Sequence, residues 1–228
     1  MKNFLRYGFT AIAFVFILST FSVKTNAQIN EILKRMDEHY KALKSLQANI
    51  NREVTDAKLG ETDKMSGTLA LLPGKGRSLS FRLDWTQPRN EIISVVNGQY
   101  VLYTPSIKQA YTGDSNSQKV QGKGGSALKT LSMSKEELKA NYDIAYLGQE
   151  SLSGGIPTWH LKLTPKTKAE YQFADIWVDG NGMPLQARIT QNNNDTDTIL
   201  LSNLKKNGSI NTSIFKVSLP KGTSVVKG

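Results

Sequence analysis

Residues 78–106 read SLSFRLDWTQPRNEIISVVNGQYVLYTPS, and this stretch decides the fold. From Leu79 to Trp85, apolar and polar side chains alternate, which is the period of a β-strand with one dry face and one wet face. Pro88 ends that strand because proline has no N–H to donate to a sheet. Asn97-Gly98 then separates two further strands as a two-residue hairpin turn. The stretch predicts antiparallel strands, and something must cover their dry face.

The rest of the chain repeats this period around two helical segments. Apolar residues at three- and four-residue steps predict a helix over residues 28–47. A glycine-rich loop at 113–125 precedes a broken pair of short helices at 126–141, with a capping box at Ser134 and Glu137. About ten or eleven strands, the last at 213–219, complete the pattern. The predicted fold class is mainly β with α: one strongly curved sheet or open antiparallel barrel with helices on its concave side.

The N-terminal 27 residues have the three-part pattern of a secretory signal peptide. Lys2 and Arg6 form a positive start, and Ala27 is the expected residue before the cleavage point. The apolar core between them, about 14 residues, is shorter than the ~18 that a membrane-spanning helix needs, so cleavage is favoured over a permanent anchor. We expect a signal peptide at 1–27, a single domain at 28–228, and a location in the periplasm.

Composition narrows the class of protein further. The 228 residues include 29 Lys and Arg against 19 Asp and Glu, a net charge of +10, and no cysteine. Without cysteine the chain has no disulfide, no thiolate chemistry and no attachment point for the lipid of a bacterial lipoprotein. The positive charge favours anionic membrane surfaces or acidic partners, whereas nucleic acid is not an expected partner in the periplasm.

No catalytic pattern in the sequence is complete. His39 and His160 lack the spacing of a zinc site, and each is expected to be a surface or core-edge histidine. The S-x-x-K spacing of periplasmic serine acyltransferases occurs at Ser126 and again at Ser132, but the S-D-N and K-T-G elements of those enzymes are missing. The run of asparagine and aspartate at 192–197 is expected to be a solvated loop and not a metal site. We therefore expect no enzyme, no metal and no cofactor.

Several short motifs in this order resemble those of the LolA family, the periplasmic carriers of outer-membrane lipoproteins. The segment FRLDWTQPRNEIISVVNGQYVLYTPSIKQAYTGD carries most of them. The matching positions are Phe81, Arg82, Trp85, Thr86-Gln87-Pro88, Asn97-Gly98, Tyr100, Tyr103 and Pro105. The LTPK at 163–166 and the C-terminal FKVSLPKGTSVV also match the family pattern. The resemblance covers essentially all of residues 28–228.

The resemblance implies a half-open β-barrel with a helical lid over an apolar cavity. In that family the cavity accepts the acyl chains of a lipoprotein. An inner-membrane lipoprotein-releasing ABC transporter loads the carrier, which delivers its cargo to an outer-membrane acceptor. The expected partners are therefore acylated lipoproteins, that transporter and that acceptor, and the expected oligomeric state is a monomer. No nucleotide or cofactor acts on the carrier itself.

The candidate cavity residues are large apolar side chains on the alternating strands. They are Leu69, Leu71, Leu79, Phe81, Leu83, Trp85, Ile93, Val95, Trp159, Leu161, Leu163, Phe173 and Trp177. Leu128, Leu131 and Met133 are expected to line the underside of the lid. The resemblance also implies an arginine on a strand that pins the lid closed, and Arg77 and Arg82 are both candidates for that role.

Two other functions stay open at this stage. One is a lipid- or glycan-binding sensor module of the cell envelope on the same scaffold, which the basic charge favours. The other is an acyl-transferring enzyme that uses Ser126 or Ser132. Ordinary burial in a β-sheet core would also explain the apolar residues, so the sequence alone does not separate a cavity wall from a plain core.

Overall fold

The structure is a computed structural model, and it describes residues 19–74 and 78–227. An N-terminal helix, α1 (Ser19–Ala42), is followed by six strands, three helical segments and six more strands. The first strands are β1 (Leu46–Thr55), β2 (Thr62–Pro73), β3 (Leu79–Gln87), β4 (Glu91–Val96), β5 (Gln99–Thr104) and β6 (Gln109–Asp114). After α2 (Gln118–Val120), α3 (Ser126–Ser132) and α4 (Lys135–Asn141) come β7 (Tyr142–Leu152), β8 (Ile156–Pro165), β9 (Tyr171–Asp179), β10 (Pro184–Gln191), β11 (Thr196–Lys206) and β12 (Ser224–Lys227).

All twelve strands form one sheet in the order β12-β6-β5-β4-β3-β2-β1-β11-β10-β9-β8-β7. Neighbouring strands are antiparallel except for β12, which pairs in parallel with β6. Within the described residues the edge strands β7 and β12 are not paired with each other. The sheet therefore curls without closing, and the predicted half-open barrel is confirmed; in residues 19–74 and 78–227 it has twelve strands, against the predicted ten or eleven.

Turn chemistry joins the strands as the sequence predicts. Asn97 and Gly98 between β4 and β5 have φ values of 50° and 76°. A turn with two positive φ values matches the twist of the flanking strands, which is why Asn-Gly is favoured there. The register Val96 to Gln99 closes the hairpin directly around it. The predicted hairpin is confirmed.

Helix α1 packs its apolar stripe on the concave face of the sheet. Ile32 and Leu33 are fully buried, and Ile29 and Met36 nearly so. The helix ends at Ala42, so the prediction that it continues to residue 47 is wrong: Leu46 is already in β1, where it pairs with Leu71 of β2. No helix among residues 19–74 and 78–227 is long and apolar enough to cross a membrane.

Helix α1 also bears on the predicted signal peptide. Its first residue, Ser19, precedes the expected cleavage point after Ala27, so the helix runs through that point. Residues 1–18, which hold most of the predicted signal peptide, lie outside the described residues. The boundary at residue 27 stays a prediction.

The helical segment between β6 and β7 also lies on the concave face. Its helices α3 and α4 are the predicted broken pair, interrupted at Met133, whose backbone is extended. Ser134 caps α4, because its hydroxyl accepts from the Glu137 N–H and the Glu137 carboxylate accepts from the Ser134 N–H. The predicted loop at 113–125 is partly helical: α2 occupies 118–120, and a kink with non-helical backbone at Lys123 and Gly124 then leads into α3.

The C-terminal segment crosses the convex face instead of forming the predicted strand at 213–219. A short 3₁₀ turn occupies Thr212–Phe215, and the true strand β12 begins at Ser224. The Ser94 hydroxyl on β4 donates to the Phe215 carbonyl at 2.6 Å, and the Phe215 ring is buried. The prediction of a strand at 213–219 from period-two alternation is wrong. A segment that lies flat on a sheet also alternates buried and exposed side chains, so this period alone does not identify a strand.

Candidate functional site

An apolar cavity lies between helix α1, the α3–α4 segment and the inner face of the sheet. Its walls come from three layers of structure, and most of the side chains are aliphatic or methionine. They are Met36, His39, Tyr40 and Leu43 on α1; Leu46, Leu69, Leu71, Leu79, Met183, Pro184 and Leu201 on or beside the strands; and Leu128, Leu131, Ser132 and Met133 on the helical segment. An apolar wall of this kind favours hydrocarbon over a polar ligand.

The cavity is small in this conformation. Its free volume is about 50 Å³, whereas pockets for small-molecule ligands measure roughly 300–1,000 Å³. Helices α2–α4, which we call the lid, fill the space above the sheet: Leu128 is buried, and Leu131 and Met133 are partly buried against the core. A ligand larger than this volume therefore fits into this cavity only after the lid moves away from the strands.

A buried arginine on β1 holds the start of the lid to the sheet. The Arg52 guanidinium donates to both carboxylate oxygens of Asp197 on β11 at 2.8 Å, and to the Gly122 carbonyl of the lid at 2.9 Å. The Arg52 and Asp197 side chains are only 9% and 13% exposed. A charge-assisted bond in such a dry place is stronger than one in water, so this contact favours the closed lid.

A second contact holds the same end of the lid. The Lys123 ammonium pairs with Glu91 at the start of β4, with N–O distances of 2.8 and 3.1 Å. Directly after these two contacts Gly124 has a φ of +96°, and a Cβ added there would lie 3.6 Å from Arg52 Cδ and 3.8 Å from Trp85 Cζ2. Glycine is favoured here by its positive φ, and the distances show that the lid backbone lies close to the inner face of the sheet. Trp85 therefore lies beneath the lid and does not line the cavity.

The structure brings most of the predicted cavity residues to one face, but only part of them to the cavity. Leu69, Leu71 and Leu79 line it. The other predicted residues on this face pack in the surrounding core: Phe81, Leu83, Trp85, Ile93, Val95, Leu161, Leu163 and Trp159, the last of these also against the Arg35 guanidinium. The predicted lid residues Leu128, Leu131 and Met133 all lie on the cavity wall.

Phe173 and Trp177 lie on the opposite face of the sheet, so assigning them to the cavity was wrong. On β9 the inward side chains are Ala174, Ile176 and Val178, all fully buried in the core. Trp177 instead stacks on His160 at 4.3 Å between ring centroids. Strand β9 carries apolar side chains on both faces, since aromatic rings cover its outer face as well. Alternation along such a strand does not show which of the two sets of side chains points inward.

Within the described residues the lid contact comes from Arg52 and not from Arg82, one of the two candidate lid-pinning arginines. Arg82 points to the convex face, where it pairs with Asp84 and donates to the Ile214 carbonyl of the C-terminal segment at 2.7 Å. Arg77 lies outside the described residues. Arg52 was missed, although the sequence carries a signal for it: it continues the inward phase of Leu46, Ala48 and Ile50 on β1.

Its partner Asp197 was placed in a solvated loop, and this too was wrong. Asp197 lies on β11 in phase with the buried residues Ile199 and Leu201. A charged residue in the apolar phase of a strand indicates a buried partner. That β1 and β11 are neighbours, and so bring the two charges together, is known only from the strand order. The α1 residues of the cavity wall were likewise absent from the predicted site, although Met36, Tyr40 and Leu43 belong to the apolar stripe of that helix.

The two histidines have opposite electrostatic surroundings. Burial in the cavity wall lowers the pKa of His39, and the nearby Lys206 charge lowers it further. His160 is buried on the convex face, where its ring nitrogens lie 2.8 Å from Glu150 and 2.9 Å from Asp175. Burial of that ring opposes protonation, but the hydrogen bonds to Asp175 and Glu150 outweigh it and raise the pKa of His160.

Comparison with solved structures places this fold among known proteins. An uncharacterized conserved protein from Thermus thermophilus superposes with a TM-score of 0.56 at 14% identity, covering 88% of this chain and 99% of that one. MucB superposes with a TM-score of 0.55 at 14% identity, covering 84% of this chain and 63% of that one. In the complex of Pseudomonas aeruginosa MucA and MucB the TM-score is 0.51 at 14% identity, with coverage of 84% and 61%. At this identity the similarity shows a shared fold.

Comparison at the level of sequence gives the family. No curated protein matches the chain. Residues 41–218 match the protein family described as outer membrane lipoprotein carrier protein LolA, which confirms the resemblance seen in the sequence motifs. The match runs from the end of α1 to the segment after the 3₁₀ turn, and so includes the cavity strands, the lid, Arg52 and Asp197. The chain belongs to the LolA family.

Proposed function

We propose that this protein is a periplasmic carrier that binds the acyl chains of lipoproteins under its lid and shuttles them from the inner to the outer membrane. The observation that carries the proposal is the apolar cavity, which is walled by a separate helical segment and held shut by a few polar contacts. Family membership supports a lipid- or lipoprotein-binding role at the cell envelope. The transporter that loads the carrier and the acceptor that unloads it are part of the proposal.

Acyl chains need such a carrier because water excludes them strongly. Burial of hydrocarbon is worth about 0.8 kcal/mol per CH₂, so one chain of about 16 carbons gains on the order of 12 kcal/mol by leaving water. A lipoprotein with several chains does not cross an aqueous compartment unaided. A cavity lined by leucine and methionine supplies the apolar surface, and methionine adapts its shape to irregular contents.

The closed lid explains how the empty carrier stays soluble and still releases its cargo. Without cargo, Leu128, Leu131 and Met133 cover the leucines of the strands, so less of the apolar wall is exposed to water. When acyl chains enter, they replace the lid side chains on that wall. The lid contacts and the cargo therefore compete for the same surface, and this competition lowers the net affinity to a level from which an acceptor can remove the cargo.

A second function is a sensor or binding module of the envelope that recognises a lipidated protein or an acidic glycan. The specific observation in its favour is the structural similarity to MucB, which has been solved in a complex with MucA. On that account the fold binds a partner and does not shuttle. Release of lipoproteins from membranes is the property that separates a carrier from a sensor.

The experiment uses the chain from Gln28 onward, without the predicted signal peptide. The purified protein is mixed with a synthetic triacylated lipopeptide, and complex formation is measured by native mass spectrometry, with the same peptide lacking acyl chains as the ligand control. The account predicts a one-to-one complex with the acylated peptide only. Spheroplasts that carry lipoproteins are then incubated with the protein, and lipoprotein released into the medium shows carrier activity.

A matched pair of variants locates the binding surface. Leu131→Gln places an amide on the cavity wall, whereas Leu200→Gln makes the same change on β11 at a half-buried position on the other face. We expect the first variant to lose most lipopeptide binding and the second to retain it. Absence of any complex with the wild-type protein would refute the proposal. Binding without release from spheroplasts would favour the sensor.

A further inference from the structure

The lid and one neighbouring loop form a surface that is rich in lysine. Residues 118–141 contain five lysines and two glutamates, and residues 166–170 contain two lysines and one glutamate, which leaves a net charge of +4. The lysines are Lys119, Lys123, Lys129, Lys135, Lys139, Lys166 and Lys168, which we call the lysine surface. Residues 28–228 as a whole carry +7, because Lys2, Arg6 and Lys24 precede them, so more than half of that net charge lies here.

The two segments of the lysine surface are joined in space. The Lys166 N–H donates to the Asn141 carbonyl at 2.9 Å, and the Lys166 ammonium donates to the Lys139 carbonyl at 2.6 Å. At the other end of the lid, Gln118 contacts Glu170 at 3.5 Å. The loop at 166–170 therefore borders the lid at both of its ends, and its two exposed lysines extend the charged surface of the lid.

Most of this charge is available to an external partner. Lys119, Lys129, Lys139, Lys166 and Lys168 are exposed. The Lys119 ammonium lies 3.7 Å from the centre of the Tyr111 ring, and Lys139 donates to the Asn30 amide oxygen; both of these partners are neutral. Lys123 differs from them, because it pairs with an acid outside the surface, Glu91.

We propose that the lysine surface docks the protein, lid first, on an anionic lipid bilayer. Charge complementarity points to an anionic partner, and the residue type favours lipid over protein: the surface contains no arginine. Protein interfaces are enriched in arginine and depleted of lysine, whereas clusters of lysine bind the diffuse charge of anionic headgroups. Because the cavity-lining residues Leu128 and Leu131 lie on the same helix as Lys129, this orientation brings the lid and the cavity to the bilayer surface.

The test is binding of the chain from Gln28 onward to vesicles, measured by co-sedimentation. One set of vesicles is phosphatidylcholine, and the other is an equimolar mixture of phosphatidylcholine and phosphatidylglycerol. We expect binding only to the anionic set, with a steep loss as salt is raised. Each lysine close to an anionic surface contributes about five-fold in partitioning. The triple variant Lys129→Gln/Lys135→Gln/Lys168→Gln should therefore bind on the order of 100-fold more weakly.

A control variant keeps the change in charge and moves it elsewhere. Lys58, Lys205 and Lys221 are exposed on the β1–β2 turn, on β11 and in the C-terminal segment, and changing all three to Gln removes the same charge. We expect that variant to retain most vesicle binding. No binding to anionic vesicles, or an equal loss in both triple variants, would overturn the proposal. If the protein binds an acidic protein but does not bind anionic vesicles, the lysine surface is a site for a protein partner and the proposal is wrong.

The result does not depend on the carrier function. Vesicle binding uses lipid headgroups and no lipopeptide, and lipopeptide binding is measured without vesicles. If the protein binds anionic vesicles but no lipopeptide, this inference stands and the proposed function fails. If it binds the lipopeptide but no vesicles, the proposed function stands and this inference fails.

Discussion

Arg52 on β1 and Gly122 in the lid are joined by a hydrogen bond of 2.9 Å, and the same guanidinium also holds Asp197 through two bonds of 2.8 Å. One side chain thus connects the sheet to the segment that covers it. The carboxylate fixes the orientation of the guanidinium, so the second N–H of the terminal nitrogen that binds Asp197 is directed at the lid carbonyl. The stability of the sheet and the closure of the lid are coupled through this one arginine.

Removal of the arginine alone should destabilise the whole protein. In Arg52→Met the Asp197 carboxylate stays buried without a partner, which costs about 3–5 kcal/mol of unfolding free energy. In the double variant Arg52→Met/Asp197→Leu both charges are replaced by apolar groups, and we expect most of that stability to return while the lid remains unpinned. Urea denaturation of the three proteins measures this; a single variant within about 1 kcal/mol of wild type would show that the pair is not buried.

Removal of the Lys123 contact should act on the lid without affecting the sheet. The pair with Glu91 is partly exposed, at 35% and 13% of the two side chains, so Lys123→Gln should change the unfolding free energy by less than about 1 kcal/mol. Uptake of a fluorescent acyl probe should nevertheless become several-fold faster, because the lid opens more often. Lys64→Gln, which removes the exposed pair with Glu53 on the β1–β2 hairpin, is the matched control. Equal uptake rates in both variants would contradict the role of the Lys123–Glu91 pair in holding the lid closed.

One glycine allows the backbone of helix α1 to lie close against the turn between β9 and β10. Gly182, in the turn between β9 and β10, has a φ of +84°, and a Cβ there would lie 2.3 Å from the Arg35 carbonyl oxygen on α1. Gly182→Ala should therefore lower the unfolding free energy by about 1–3 kcal/mol, since the helix must shift away. Gly180→Ala, two residues earlier, meets nothing within 4 Å and should have little effect. Thermal denaturation of both variants tests this, and similar melting temperatures would contradict it.

The two histidines should give stability opposite pH dependences. The pKa of His39 is lowered from 6.5 by burial, so its contribution is present above pH 6.5 and is lost as the pH falls towards the lowered value. The pKa of His160 is raised from 6.5 by Asp175 and Glu150, so its contribution is present below pH 6.5 and is lost as the pH rises through the raised value. His39→Gln should reduce the loss of stability in acid, and His160→Gln should reduce the loss above pH 6.5. Urea unfolding at a series of pH values measures both slopes, and unchanged slopes in the variants would contradict the assignment.

The sequence predicts the sheet better than the site, and the reason lies in the period of a strand. Alternation from Leu79 to Trp85 correctly places four side chains on one face, because a single buried face repeats every two residues. The same rule fails at Trp177, where both faces of β9 are covered. It also does not say that Leu79 reaches the cavity while Trp85 lies under Gly124, since that depends on where the lid crosses the sheet.

The polar contacts of the lid were beyond the sequence for a different reason. Arg52 is separated from Gly122 by 70 residues and from Asp197 by 145, and strand order, not spacing, brings them together. Strands β1 and β11 are neighbours in the sheet although β2 to β10 all lie between them in sequence, so only the topology shows that their charged residues face one another. A lone arginine in an apolar phase indicates a buried partner without identifying it.

The central claim is that acyl chains enter the cavity by displacing the lid, and hydrogen exchange with and without the triacylated lipopeptide tests it most directly. The amides of α3, at residues 126–132, report on the lid, and those of β1 and β2 report on the sheet beneath it. The account predicts faster exchange in α3 when the lipopeptide is bound and unchanged exchange in β1 and β2. Binding of the lipopeptide with α3 as protected as in the empty protein would contradict it.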